Sequence, residues 1–136
     1  MKKLIIILSC LNFLLSSDVS ENTFLFCLES STRPLEITRS SDGFALDNEP
    51  LNTYFENNNI LNIEKWIPKA TEQDYDGDIY LNRIYRVYVS DETRKDVTAI
   101  ISDLSSFSSV KYAENEFIRT PKYSPNDPMV DVQCSL

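Results

Sequence analysis

The chain has 136 residues, 42% of them apolar and 25% charged, which is enough for one domain with a core and too apolar for disorder by composition. Lys and Arg number 13 against 21 Asp and Glu, a formal net charge of −8, so an acidic chain without a basic patch argues against nucleic acid as a partner. Histidine is absent, which excludes a Ser–His–Asp or Cys–His catalytic set and any His-ligated metal within this chain.

Residues 1–17 stand apart. Lys2 and Lys3 are followed by two apolar runs, Leu4 to Leu8 and Leu11 to Leu15, and then by Ser16 and Ser17. That order reads as a secretory signal peptide and predicts export, with the product secreted or in the cell envelope. The stretch is short of the roughly 20 apolar residues that span a bilayer, so no stable membrane association is expected after its removal. A membrane anchor is the rival reading, and a lipid-modified Cys10, with a very short run before it, is a further one. Cys27 and Cys134 then remain, an even number in an exported chain. A disulfide is open to them, but Cys27 sits in an apolar strand and reads first as a small buried residue.

Next in order, Thr23-Phe-Leu-Phe-Cys-Leu28 suits a first strand. Ser40-Ser-Asp-Gly43 is a turn, across which Leu35 to Arg39 and Phe44 to Leu46 can pair as a small hairpin. Asp47 or Asn48 can cap a helix with Pro50 in its first turn, and Leu51, Tyr54 and Phe55 give it one apolar face. Asn57 to Asn59 ends it. Ile60 to Ile67 is a second strand stopped by Pro68, and an acidic loop fills 69–81. Asn82 to Val89 is the clearest strand, with Tyr85, Val87 and Val89 on one face and Arg86 and Tyr88 on the other. Asp91 is placed to cap a second helix carrying Val97, Ile100, Ile101, Leu104 and Phe107 at helical spacing. Val110 to Ala113 and Phe117-Ile118 make the last strand. From Thr120 onward, Pro121, Pro125 and Pro128 mark an extended tail.

The predicted class is therefore α+β, in the ferredoxin-like order β-α-β-β-α-β. It implies a four-stranded antiparallel sheet, two helices on one face and an extended C-terminal tail. The second face, with Ile84, Tyr88 and Trp66 as candidates, is left as a docking surface or as ordinary scattered aromatics.

Catalytic and metal motifs fail in turn. Asp74-Tyr-Asp-Gly-Asp78 has its glycine fourth and Tyr85 at the twelfth place, where an EF-hand needs Gly at the sixth and Glu at the twelfth. An acidic turn is the better reading of 72–78. No pair of acids is marked for glycoside hydrolysis, and no serine lies in a G-x-S-x-G elbow. No enzyme activity, cofactor or metal is expected of this chain.

The end of the sequence is more specific. Val110-Lys-Tyr-Ala-Glu-Asn-Glu-Phe-Ile118, then Thr120-Pro-Lys-Tyr-Ser-Pro-Asn-Asp-Pro128, then Gln133-Cys-Ser-Leu136 resembles the junction of propeptide and mature enzyme in subtilisin-like serine proteases. There the pattern often runs V-x-Y-A-E-P-N, T-P-N-D-P, Q-W-x-L. The resemblance covers residues 23–136 and is motif-like over 110–136. It departs at Asn115, where proline is usual, and at Cys134, where tryptophan is usual.

The resemblance implies a division into a signal peptide (1–17), a propeptide domain (18–119) and a tail with the start of a mature protease region (120–136). It implies an intramolecular chaperone and temporary inhibitor, whose partner is a subtilisin-like catalytic domain in cis or in trans. The catalytic Asp, His and Ser segments of such a precursor would lie beyond Leu136. Glu114 and Glu116 would meet the N-termini of two protease helices, where unpaired N–H groups favour an anion. Arg119, Thr120, Pro121, Lys122, Tyr123 and Ser124 would form the substrate-like tail and processing region. The alternative is a free-standing secreted protease inhibitor or binding module of the same fold.

Overall fold

The computed structural model describes residues 18–118. The predicted signal peptide, Cys10, the processing segment Arg119 to Ser124, the rest of the tail and Cys134 lie outside the described residues.

The first strand, β1 (Asp18–Leu28), becomes the middle of the sheet because both of its faces are apolar. Phe24, Phe26 and Leu28 are buried on one side, and Leu25 and Cys27 on the other. It starts five residues before the expected Thr23, since Asp18 and Val19 pair with Ile118 and Phe117 near the far end of the chain. The small hairpin forms as β2 (Ile37–Ser40) and β3 (Gly43–Leu46). Gly43 has φ 142°, a conformation that side-chain-bearing residues avoid, so the glycine is what closes this turn.

Helix α1 (Glu49–Asn57) is capped by the Asn48 side chain, which accepts the Leu51 N–H at 3.2 Å. Leu51 and Phe55 point inward and Tyr54 is half-buried. The helix ends where Asn59 turns to φ 51°. Strand β4 (Ile60–Lys65) is two residues shorter than expected. The acidic loop contains a minimal hairpin, β5 (Tyr75–Asp76) and β6 (Ile79–Tyr80), turned at Gly77. Strand β7 (Ile84–Val89) begins two residues late because Leu81–Arg83 forms a turn of 3-10 helix.

Helix α2 (Val97–Leu104) follows a 3-10 turn at Thr93–Asp96. The expected cap at Asp91 is replaced by Ser90, whose hydroxyl accepts the Thr93 N–H at 3.2 Å. Strand β8 (Val110–Ile118) runs on through the polar Glu-Asn-Glu stretch, because β1 pairs with Glu114 and Asn115 before Glu116 and with Phe117 and Ile118 beyond it.

The chain is an α+β fold. Its main sheet has the order β4-β7-β1-β8 with every neighbouring pair antiparallel. Both helices contribute to the core on one face, where Phe24, Phe26, Ile63, Tyr85, Val87 and Val110 meet Leu51, Phe55, Val97, Ile100 and Leu104. The Phe26 ring stacks on Tyr85 with centroids 5.3 Å apart and meets the edge of Phe55 at 5.7 Å. Arg39, from the first hairpin, donates to the Ile63 carbonyl at 2.8 Å and to Asn62, which blunts the outer edge of β4. No helix among the described residues is long and apolar enough to cross a membrane.

Candidate functional site on the sheet face away from the helices

Side chains alternate along a strand, so the residues between the core positions must share the opposite face. The register places them: Leu25 lies between Arg86 and Glu114, Thr23 beside Tyr88, Cys27 between Ile84 and Tyr112, and Glu64 beside Arg86.

One end of this face is closed. Cys27 and Ile84 are buried, so Ile84 is not the exposed docking residue expected from the sequence. Burial pushes the Cys27 thiol above its ordinary value, which keeps it inert. The connection from β4 to β7 crosses to the far edge of the sheet, where Asp78 meets Lys111 of β8. Arg83 anchors its return. Its side chain is buried, Nε donates to the Thr32 carbonyl at 2.7 Å, and Nη1 pairs with Glu72 at 2.7 Å. Glu72, Asp74 and Asp78 of the acidic loop thus bind their own chain. Asp74 accepts from the Thr71 N–H and hydroxyl at 2.7 and 2.8 Å. Among the described residues no three Cys, Asp or Glu converge as a metal site.

The other end is open and charged. Arg86 reaches from β7 across β1 to Glu116 of β8. Its Nε lies 2.9 Å from both carboxylate oxygens and its Nη2 lies 2.5 Å from Oε1. The Thr23 hydroxyl donates to Glu116 Oε2 at 2.6 Å. Glu64 closes the network from the other edge, 3.4 Å from Arg86 Nη1 and accepting the Tyr88 hydroxyl at 2.5 Å. Partial burial raises the Glu116 carboxyl, but the bonds from Arg86 and Thr23 outweigh it and hold the group below its usual range. The Glu64 bond, aided by partial burial, raises the Tyr88 phenol. Arg86 is held firmly protonated, chiefly by Glu116.

Above this network runs an open groove of about 380 Å³ lined by Leu25, Trp66, Glu114, Asn115, Glu116 and Phe117. Trp66 and Phe117 are 40% and 54% exposed, large apolar groups that water does not favour. Glu114 is exposed at its edge. Glu64 and Glu116 hold Arg86 between them, and Glu114 stands on the same face across Leu25, so three carboxylates meet this one guanidinium and the surface favours positive charge or unpaired N–H donors.

Of the residues read from the sequence as candidates, the structure brings Trp66, Glu114 and Glu116 to one groove, with Tyr88 on the same face. Arg86 and Glu64 were the residues that sequence reasoning missed. Strand alternation placed Arg86 on this face, but no linear signal ties it to Glu116, 30 residues away.

No protein-family model, no curated protein and no solved structure matches the chain.

Proposed function

We propose that the chain carries the propeptide of a secreted subtilisin-like serine protease, acting as intramolecular chaperone and temporary inhibitor and not itself an enzyme. Residues 1–17 would direct export and be removed. Residues 18–119 would form the inhibitor domain, and the substrate-like segment where processing occurs would run from Arg119 to Ser124.

The observation that carries this reading is the groove between Trp66 and Phe117. It lies on the sheet face that the helices leave uncovered, at the end where β8 runs into the motif-like tail. Strand order supports it. With the two small hairpins set aside, the four long strands stand in the spatial order fourth, first, third, second, and on this reading they form a split βαβ, ferredoxin-like unit.

The physics follows from the groove. Leu25, Trp66 and Phe117 supply apolar area for the protease's surface helices, and Glu114 supplies an anion for their N-termini. Binding would stabilise the protease fold by mass action and hold together helices that otherwise meet only late in folding.

Titrating residues 18–136 against a purified subtilisin-type protease tests the reading. Near-stoichiometric inhibition that fades as the chain is cut between Arg119 and Ser124 is the expected result. Absence of inhibition at micromolar chain would sink it. Lasting inhibition without a cut would select the free-standing inhibitor instead. Sequencing the locus beyond the Leu136 codon for in-frame D-[ST]-G, H-G-T-H and G-T-S-[MA]-A segments provides an independent check.

A further inference from the structure

The β1–β8 ladder is broken opposite Glu116. Phe24 pairs with Asn115 and Val19 pairs with Phe117, so residues 20–23 of β1 stand against Glu116 alone. Beyond this break, β8 is held by two pairs only, Val19 with Phe117 and Asp18 with Ile118. β7 gives no help there, because its pairing with β1 stops at Thr23. Backbone hydrogen bonding therefore does not by itself fix the direction in which β8 leaves the sheet.

Side chains bridge the gap. Glu116 is gripped by Arg86 through both carboxylate oxygens, and by the Thr23 hydroxyl, which lies 2.6 Å from the Ser20 hydroxyl in the bulged segment. The forked guanidinium fixes the carboxylate in orientation as well as position, which a point charge cannot do. Arg86 is itself steadied by Glu64.

We infer that Arg86 is a positioning residue for the processing segment: by clamping Glu116 at the break in the ladder, it sets the line along which the chain leaves Ile118 toward a protease cleft. The inference rests on the propeptide reading for its consequence, but the clamp has a readout of its own. Arg86 touches neither substrate nor protease in this scheme and acts through Glu116.

The first arm needs no protease. Amide hydrogen exchange on residues 18–136 should rise about tenfold in the Glu116–Ile118 stretch of Arg86→Gln, with Phe24–Leu28 unchanged. Unchanged exchange at Glu116–Ile118 overturns the clamp. In the second arm, Arg86→Gln is combined with a disabled tail, Lys122→Gly with Tyr123→Gly. If Arg86 acts by aiming the tail, it weakens inhibition about tenfold with the native tail and less than about twofold with the disabled one. Equal losses in both backgrounds would mean a merely structural role and overturn the proposal. Arg86→Lys, which keeps the charge without the fork, should recover only part of the loss. If Arg86→Gln does not fold, Glu116→Gln breaks the same clamp from the other side and replaces it in both arms. If the unsubstituted chain inhibits no subtilisin-type protease, the propeptide reading fails and the aiming role fails with it. The exchange result still decides separately whether Arg86 holds the end of β8.

Discussion

The hydroxyl of Tyr85 accepts the backbone N–H of Leu35 at 2.7 Å, joining the centre of β7 to the connection that leads into the first hairpin. Tyr85 is fully buried, and burial pushes its phenol up to about 12. The ring fills the core against Phe26 while its polar tip satisfies an N–H that has no strand partner. One residue thus ties an irregular segment to the sheet.

Tyr85→Phe removes the acceptor and keeps the ring. The Leu35 N–H then loses its partner in a buried position, which costs about 1–3 kcal/mol. Urea denaturation with an unchanged m-value should report that loss. A change below about 0.5 kcal/mol would show that water or a shifted loop satisfies the N–H instead.

Phe26→Ala should be among the most damaging core substitutions, because Phe26 links Tyr85 of the sheet to Phe55 of α1. Truncating a buried Phe costs about 3–5 kcal/mol. Thermal unfolding of the variant beside Val19→Ala, an exposed position on the same strand, makes the comparison.

Glu116 makes stability depend on acid. Its folded-state pKa lies below the ordinary 4.5, so its contribution is complete above that value and is lost as pH falls through the folded one. Glu72 and Asp78 are shifted the same way by Arg83 and Lys111, but they are solvent-exposed and salt weakens those charge interactions; Asp74 is lowered by hydrogen bonds from Thr71, which salt does not screen, so Asp74→Asn serves as the common background. Denaturation between about pH 6 and pH 3 in high salt should therefore show a fall in stability that Glu116→Gln flattens. An unaltered acid limb in the variant would place the effect elsewhere.

Trp66→Ala and Glu114→Gln separate docking from folding. Both side chains line the groove, and Trp66 is 40% exposed. Each should leave thermal stability within a few degrees and weaken inhibition of a subtilisin-type protease by about tenfold. Titration curves that overlay those of the unsubstituted chain would show that the partner binds another face.

Local signals carried far along the chain. Asn48, one of the two residues placed to cap α1 before Pro50, does cap it, and Gly43 sits at a turn position whose positive φ calls for glycine. Alternation in β7 sorts Tyr85, Val87 and Val89 from Arg86 and Tyr88 as the core requires. Boundaries were less legible. The extra residues at the start of β1, and the running of β8 on both sides of Glu116, arise from each strand having the other beside it. Ser90, not Asp91, holds the start of the second helical region, because both residues can accept an N–H and only the chain's path selects between them.

The sequence by itself determined the order of strands and helices, which faces are apolar, and an acidic chain without histidine. Those properties are local: propensity, period and composition act over a few residues. Only the tertiary structure decided that Arg86 grips Glu116 across the intervening strand β1, that Asp78 crosses the sheet to Lys111, and that Ile84 is covered while Trp66 is left open. Each of these depends on register and on which strands become neighbours. A change of one residue in register would turn the Arg86 side chain to the opposite face and undo the clamp.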